Sequence, residues 1–259
     1  FLINYKKNNF FKLHQKEEAK TIFCNKEFYY PKYSFYYDDN FKIKNQKTQS
    51  KYDIDRTFEK ENNLIIKEFF EKEIECILDV GANIGYTSSF YNAFFGNKVK
   101  IHCFEPHPVS YYFLKKNLSP FDNIKLYNFA LGNENKEDYI SIPNNQKFRM
   151  SNLGLMSIGQ NSNILKTKIL VKKFDLLPVL FQQFKEIYIK IDVEGYEENV
   201  LKGMYNFLNR NLQIYLKIEI NRNYLNIKKI NSLINFLETL NYKFFAISNE
   251  KFINLNKSE

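Results

Sequence analysis

The sequence predicts an α/β fold in which a mostly parallel sheet carries helices on both of its faces. From residue 58 onward, short apolar segments of β type alternate with segments whose apolar residues recur at helical spacing. Such alternation is typical of parallel strands joined by helices, and 259 residues suffice for one such domain with an added segment. We therefore expect one domain over residues 58–259 and an N-terminal extension over residues 1–57.

The first half of the domain begins with residues 58–72, whose apolar residues lie on one helical face. The apolar segment 76–80 predicts a buried strand, and a helix is expected at 85–95. A second strand is expected at 99–104. Pro108 suits the first position of a helix over 108–118, because proline lacks an N–H that this position would leave unpaired anyway. A third strand is expected at 123–131.

The second half begins with residues 133–163, which are rich in Asn, Ser and Gly and predict a loop or hairpin insertion. The remaining segments again alternate between the two types, with strands expected at 166–174, 186–193, 212–220 and 242–248 and helices at 175–184, 196–209 and 226–240. The predicted sheet thus has seven strands. In open parallel sheets the ligand lies outside the carboxyl ends of the strands, so functional residues are expected there.

The composition excludes several protein classes. No apolar segment approaches the roughly 18 residues that span a bilayer, and the N-terminus lacks a signal-peptide pattern. Cys24, Cys76 and Cys103 lack CxxC spacing, which favours reduced thiols over a disulfide framework or a zinc site. We therefore expect a cytoplasmic globular protein. The chain begins at Phe1 rather than at a methionine, as a fragment or a processed product would.

The net charge of +9 is concentrated near the N-terminus, where residues 1–51 hold 11 lysines and 5 acidic residues. A basic, aromatic extension could contact an anionic substrate, a membrane surface or nucleic acid, although a solvated surface is the simpler explanation. Two roles for the extension stay open: a cap over the pocket, or a segment that forms a homo-oligomer.

The first functional motif is DVGANIG at residues 79–85, in which a strand ends in a carboxylate and two glycines follow. Glycines let the backbone approach a ligand, and N–H groups at the start of the next helix bind polar groups. The spacing is not the GxGxxG that holds a pyrophosphate, and no GK[ST] follows. Because Asp79 attracts an ammonium or sulfonium and repels phosphate, we expect a cationic ligand group; the alternative is a turn needed only for packing.

The second motif is FEPHP at residues 104–108. Glu105 ends the second strand about twenty residues after Gly85, where an acidic residue in nucleotide-binding α/β folds accepts hydrogen bonds from ribose hydroxyls. Pro106 and Pro108 restrict the chain beside it. Together with the glycine turn, Glu105 predicts a ligand that carries a nucleoside.

The third motif is IKIDVEGYEENVLKG, which places Lys190, Asp192 and Glu194 at alternating positions at the end of an apolar strand. Residues two apart on an extended segment point the same way, so these three side chains could face one pocket. Such a group can deprotonate an alcohol or orient a polar substrate, and with Glu219 it could bind a divalent cation such as Mg²⁺. The alternative is a strand end that turns polar where it meets water.

In this order, the three motifs resemble those of the FkbM family of S-adenosylmethionine-dependent methyltransferases, and NFALGN (128–133) and KIEI (217–220) are similar to its third and fifth strand ends. The resemblance implies a Rossmann-like class I methyltransferase sandwich with S-adenosylmethionine (SAM) as cofactor. It departs at residues 1–57 and at Asn221, where a histidine is common. It implies contacts of Asp79, Gly81, Ala82, Asn83 and Gly85 with the methionine side of SAM, of Glu105 with its ribose, and of Asn128 and Ala130 near its adenine. Pro106, next to Glu105, is also expected to bind the cofactor.

The family mostly methylates oxygen on sugars and small natural products, so the resemblance implies a hydroxyl acceptor. A hydroxyl nucleophile loses its proton near the transition state. We expect Asp192 or Glu194 to act as the base or to orient the hydroxyl. The positive charge of Lys190 is expected to lower the energetic cost of negative charge near that group. His107 is a weaker candidate for the base, and His14 and His102 are expected to be ordinary surface and core residues.

Three alternatives remain on the sequence alone. The basic N-terminus would suit an RNA or other nucleic-acid methyltransferase, although no [DN]PP[YF] motif occurs. Glu105 would also suit the ribose of NAD in an oxidoreductase, against which the absence of GxGxxG counts. In the third alternative the domain is a non-catalytic nucleoside-binding module, and the Lys190, Asp192 and Glu194 trio is structural.

Overall fold

The computed structural model of the chain describes residues 18–23, 26–31, 64–65, 73–141, 157–158, 166–177, 181, 183–210, 212–220, 225–248 and 251–254. Most of the helix predicted at 58–72 lies outside these residues, although 64 and 65 are helical. His14, Cys24, Asn221 and much of the predicted insertion also lie outside them.

The strands and helices are numbered in chain order. The strands are β1 (Glu18–Phe23), β2 (Lys26–Pro31), β3 (Cys76–Val80), β4 (Lys100–Phe104), β5 (Ile124–Tyr127), β6 (Ala130–Gly132), β7 (Lys136–Ser141), β8 (Ser157–Ile158), β9 (Lys166–Lys173), β10 (Glu186–Ile191), β11 (Gln213–Ile218), β12 (Phe245–Ser248) and β13 (Lys251–Asn254). The helices are α1 (Tyr86–Phe95), α2 (Pro108–Leu118), α3 (Glu197–Gly203), α4 (Tyr205–Leu208) and α5 (Ile227–Thr239).

The central sheet is parallel, with the strand order β11-β10-β3-β4-β5. Every residue of β3 is buried, as expected for a strand covered on both faces. The chain moves outward in one direction through β4 and β5 and in the other through β10 and β11. Strand order therefore reverses between β3 and β10, which opens a crevice at their carboxyl ends. This arrangement confirms the predicted α/β fold.

Helices cover both faces of the sheet. Successive residues of a strand point to opposite faces, and Ile77 packs in a core cluster with Tyr91 of α1, whereas its neighbour Leu78 packs in another cluster with Val200 of α3 and Leu233 of α5. Both clusters are built mainly of buried aliphatic and aromatic side chains. None of the helices in the described part of the chain is long and apolar enough to cross a bilayer.

The number of strands in the sheet differs from the seven expected. Among the described residues, five strands form the parallel sheet, and β9 instead belongs to a second sheet with the order β6-β9-β7-β8. The segment predicted as one strand at 123–131 divides into β5 and β6 at Asn128 and Phe129, and β6 pairs with β9. The closing strand β12 pairs with β13. The local sequence pattern predicts that a segment forms a strand, but the strand with which it pairs depends on long-range packing.

Two predicted helices also differ. The segment 175–184 begins with a short 3-10 turn at Phe174–Leu176, and Asp175 accepts hydrogen bonds from the backbone N–H groups of Asn206 (2.9 Å) and Phe207 (3.0 Å). Asp175 thus caps the first turn of α4, because its carboxylate satisfies N–H groups that lack a partner within the helix. The helix predicted at 196–209 is interrupted at Met204 and forms α3 and α4.

Candidate functional site

A pocket opens at the carboxyl ends of β3, β4 and β10, at the crevice where strand order reverses. The loops after these strands supply most of its wall, and the second sheet supplies the rest through β6 and β7. Seven residues expected from the sequence line it: Gly81, Asn83, Glu105, Pro106, Ala130, Asp192 and Glu194. Three strand ends that are far apart in the chain therefore contribute to one cavity.

The glycine turn is held in left-handed backbone conformations. Gly81, Asn83 and Gly85 have φ angles of 83°, 51° and 90°. A Cβ atom on Gly81 would overlap the backbone carbonyl oxygen of Asp192, so only glycine allows the loops after β3 and β10 to approach this closely. A Cβ on Gly85 would lie 2.9 Å from Leu114, so Gly85 serves the packing of α2 against the turn.

Glu105 is a buried carboxylate on the pocket wall, with 6% of its surface exposed. Its Oε2 accepts a hydrogen bond from the backbone N–H of Asn83 (2.9 Å), and its Oε1 accepts one from the N–H of His107 (2.8 Å). Burial raises the pKa of Glu105 to about 7, and these two N–H groups oppose the rise. Each carboxylate oxygen has further acceptor capacity, which suits a ligand with adjacent hydroxyl groups.

Lys190 forms ion pairs beneath the pocket with two carboxylates. Its Nζ lies 3.1 Å from Oδ2 of Asp192 and 3.5 Å from Oδ1 of Asp79, the residue directly opposite it on β3. Burial alone would lower the pKa of Lys190, but the carboxylates of Asp192 and Asp79 raise it above its ordinary value. Lys190 is therefore an ammonium group, which excludes it as a base.

Asp79 does not line the pocket. It is fully buried, and its Oδ2 accepts a hydrogen bond of 2.6 Å from the hydroxyl of Ser88 on α1. Lys190 pairs with both Asp79 and Asp192, so it connects Asp79 to the loop after β10. The sequence motif located this carboxylate correctly at a strand end, but its neighbours are protein groups.

The loop after β10 is supported by Glu197, which the sequence analysis did not assign to the site. Glu194 and Gly195 adopt left-handed conformations with φ angles of 52° and 97°. Oε1 of Glu197 accepts hydrogen bonds from the N–H groups of Val193 (3.4 Å) and Gly195 (3.0 Å). Glu197 is 1% exposed, and burial raises its pKa. A glutamate two residues after Gly195 was the available signal, although first helical turns commonly carry glutamate for other reasons.

The remaining expected residues lie around the pocket. Ala82 is buried and donates its N–H to the Phe104 carbonyl. The amide of Asn128 donates to the carbonyl oxygens of Glu105 (2.9 Å) and Pro106 (3.3 Å), so it braces the loop after β4. Glu219 is exposed just after β11. Among the described residues, no group of three or more His, Cys, Asp or Glu is arranged to hold a metal ion.

The histidines and cysteines occupy different environments. His107 lines the pocket, is buried, and caps α2, where its Nδ1 accepts the N–H of Ser110 at 3.5 Å. His102 is a buried core residue whose pKa is lowered to about 4 by burial, with smaller contributions from the nearby lysines Lys125 and Lys100. Cys76 and Cys103 are buried free thiols.

The charge of the pocket wall favours a cationic ligand. Among the described residues that line it, the acidic side chains are Glu105, Asp192 and Glu194, and neither lysine nor arginine is present. Oδ1 of Asn83 is buried without a hydrogen-bond partner in the protein, which leaves an acceptor available. Carboxylates attract a sulfonium or ammonium group and repel phosphate. These residues fit SAM and do not fit the pyrophosphate of NAD.

The methyltransferase FkbM domain model matches residues 79–244, which include all three motifs and the pocket. The chain belongs to the FkbM methyltransferase family. It is therefore a SAM-dependent methyltransferase, and this assignment favours methyl transfer over the NAD-dependent and non-catalytic alternatives. The family match covers the strand ends that build the site, and residues 1–78 lie outside it.

The solved structures to which the chain is similar include two methyltransferases of low similarity. Precorrin-6y C5,15-methyltransferase from Geobacter metallireducens GS-15 is 14% identical, with a TM-score of 0.37 over 70% of this chain and 74% of that chain. A SAM-dependent methyltransferase from Aquifex aeolicus is 13% identical, with a TM-score of 0.35 over 81% of this chain and 91% of that chain. At these TM-scores neither structure supports a statement about function. No curated protein matches the chain significantly in sequence.

Proposed function

We propose that the protein transfers the methyl group of SAM to a hydroxyl oxygen of a sugar, a polysaccharide precursor or a small natural product. One observation carries the proposal: Asp192 and Glu194 line the same cavity as Glu105 and the glycine turn. A carboxylate beside the cofactor can accept the proton that an alcohol must lose. The buried free thiols of Cys76 and Cys103 are compatible with a reducing cytoplasm, which we propose as the setting.

The cofactor residues follow from the pocket wall. When bound, SAM supplies an electrophilic methyl group on a positively charged sulfur. Glu105 accepts hydrogen bonds from the two ribose hydroxyls, while Gly81 and Asn83 contact the methionine end. Pro106 and Ala130 contact the nucleoside end. The other residues expected at the cofactor, which are Asp79, Ala82, Gly85 and Asn128, support these contacts from behind the wall.

The acceptor residues lie on the loop after β10. Lys190 holds Oδ2 of Asp192 at 3.1 Å, so the carboxylate of Asp192 has a fixed direction. Either Asp192 or Glu194 accepts the hydroxyl proton, and the other orients the hydroxyl toward the methyl group. Orientation contributes strongly here, because displacement at carbon requires the nucleophile, carbon and leaving group to be in line.

RNA is the alternative acceptor, and the pocket disfavours it. Three carboxylates on the wall would repel a phosphate backbone near the reacting group, whereas a neutral sugar or natural product meets no such repulsion. An RNA methyltransferase would place its positive charge beside the pocket, and the described wall has none.

The test uses SAM labelled with ¹³C in its methyl group. The protein is incubated with neutral oligosaccharides, with hydroxylated small natural products and with RNA, and the labelled product is examined by NMR. We expect label with the chemical shift of a methyl ether on one of the first two acceptor classes. Label on nitrogen, or on RNA alone, would contradict the proposal.

Matched variants connect that reaction to the site. Asp192→Asn and Glu194→Gln should each lower turnover by about 10²-fold to 10⁴-fold if the residue is the base and less if it only orients the hydroxyl. Glu198→Gln is the control, because Glu198 lies on α3 outside the pocket wall and pairs with Lys202 at 2.7 Å. Near-wild-type turnover in both Asp192→Asn and Glu194→Gln would exclude this loop as the source of the base.

A further inference from the structure

The side chain of Asn117 connects the cofactor turn to the N-terminal hairpin β1–β2. Asn117 lies in the last turn of α2 and is buried, with 7% of its surface exposed. Its Nδ2 donates hydrogen bonds to the carbonyl oxygens of Ile84 (2.8 Å) and Tyr29 (2.9 Å), and its Oδ1 accepts the N–H of Tyr29 (2.7 Å). Both amide hydrogens and the amide oxygen are therefore engaged.

Ile84 lies between two residues of the turn that have left-handed backbone conformations. The residues on either side of it, Asn83 and Gly85, have φ angles of 51° and 90°. A left-handed asparagine persists only where its surroundings hold it. Glu105 binds the N–H of Asn83 at 2.9 Å, and Asn117 binds the carbonyl of Ile84 at 2.8 Å. The turn is thus held from the β4 side by Glu105 and from the α2 side by Asn117.

The hairpin reaches this point through the backbone of Tyr29. Its N–H and carbonyl both bond to the amide of Asn117, so the side chain pairs with the outer edge of β2 as a neighbouring peptide group would. The ring of Tyr29 packs against the core, with Nζ of Lys116 lying 3.9 Å from its centroid. Three kinds of contact therefore fix the hairpin on α2.

We propose that the hairpin β1–β2 is a structural support of the SAM site and that Asn117 is the positioning residue that transmits this support to the turn. The hairpin lies outside the matched family domain, at residues 18–31, so the support is a feature of this chain's own N-terminal segment. The inference rests on the assignment of the turn to SAM. Its physical basis is preorganisation: a turn that is ordered beforehand does not lose conformational freedom when the cofactor binds.

The test compares two buried asparagines in the full chain by calorimetric titration with S-adenosylhomocysteine (SAH). Asn117→Asp keeps the shape of the side chain but replaces the NH2 group, which donates both hydrogen bonds, with one oxygen that faces two carbonyl groups. Asn123→Asp is the control, because Asn123 is 2% exposed and its Nδ2 binds Asn92, Gly96 and Val99 at the opposite end of the sheet. Both changes should lower the melting temperature of the free protein.

Only Asn117→Asp should weaken SAH binding, by about tenfold, as expected for the loss of one hydrogen bond that orders the turn. Asn123→Asp should bind SAH as the wild type does. Wild-type affinity in Asn117→Asp, or an equal loss in both variants, would overturn the role of Asn117. Failure of the wild-type protein to bind SAH would instead contradict the cofactor assignment itself.

A second pair of variants tests the hairpin separately. Tyr29→Ala removes the ring and keeps the backbone N–H that binds Asn117, whereas Tyr29→Pro also removes that N–H. We expect Tyr29→Pro to bind SAH several-fold more weakly than Tyr29→Ala. Equal affinities in the two variants would show that the hairpin does not support the turn, even if Asn117 does. If Asn117→Asp fails to fold, this pair of variants still tests whether the hairpin supports the cofactor turn.

Discussion

The pH dependence of cofactor affinity gives a quantitative test of Glu105. Burial raises the pKa of this carboxyl to about 7 in the free protein. Ribose hydroxyls donate hydrogen bonds to the ionised form, so binding should favour the form that has lost its proton. Affinity should therefore rise as pH increases through about 7. This is the opposite of the pattern for a site that requires a protonated group.

The magnitude follows from the fraction of Glu105 that is ionised. If only the ionised form binds, the apparent Kd is multiplied by about eleven near pH 6, by about two near pH 7 and by almost one above pH 8. Calorimetric titration with SAH across this range measures the change. Adenosine is the control ligand, because it retains the ribose and lacks the amino-acid groups that titrate.

The variant Glu105→Gln should abolish this dependence. It removes the titrating group and leaves His107 in place, so any dependence that remains belongs to other groups. Its affinity above pH 8 should fall by roughly tenfold to a hundredfold, because a hydrogen bond to a charged acceptor is lost and the new amide faces an N–H donor. A pH profile in Glu105→Gln equal to that of the wild type would refute the assignment of Glu105 to the ribose.

Three further predictions concern the loops that build the pocket. Gly81→Ala should lower the free energy of unfolding by several kcal/mol more than Gly96→Ala does. Gly96 is the control because its φ of 61° is also positive, but a Cβ there would meet no atom within 4 Å. Equal losses in urea unfolding would contradict this prediction. Lys190→Met should cost about 3–5 kcal/mol in the same assay, because two carboxylates lose their cation, and Asp79→Leu/Lys190→Met should recover part of that loss. Hydrogen exchange at the amide of Gly195 should become faster in Glu197→Ala and change little in Glu197→Gln, which keeps an acceptor for that N–H. Equal protection of Gly195 in the two variants would exclude Glu197 as the support of the loop after β10.

Several residues of the pocket wall could be expected from the sequence because they lie at or just after strand ends. The carboxylates Asp79, Glu105 and Asp192 each follow an apolar segment, and parallel strands bring their carboxyl ends to one edge of a sheet. The glycine spacing and the absence of a phosphate-binding pattern also disfavour a ligand that is held by its phosphate groups. Seven of the residues expected from the motifs and from the family resemblance line the pocket.

The roles of individual side chains depend on pairing that the sequence does not encode locally. Lys190 lies opposite Asp79 only because β10 pairs with β3 in one particular register, across more than a hundred residues of chain. That register places Asp79 within 3.5 Å of the buried Nζ of Lys190, a contact that neither local segment predicts. The same limit explains β9, which was recognised as a strand but assigned to the wrong sheet.

The roles of buried polar residues were even harder to predict from the sequence. Asn117 lies on a helix with ordinary amphipathic spacing, and nothing local distinguishes it from an exposed asparagine. Its three hydrogen bonds involve residues 88 positions away on the N-terminal side and 33 positions away in the turn. Glu197 lies in a first helical turn, where glutamate is common, yet its carboxylate accepts two backbone hydrogen bonds from the loop after β10. Both roles become visible only once the tertiary contacts are known.

A crystal structure of the complex with SAH tests the central claim most directly. We predict that both ribose hydroxyls lie within hydrogen-bond distance of the Glu105 carboxylate and that the homocysteine end lies beside Gly81 and Asn83. The sulfur should face the loop that carries Asp192 and Glu194. SAH bound elsewhere, or bound here with its ribose away from Glu105, would contradict the account.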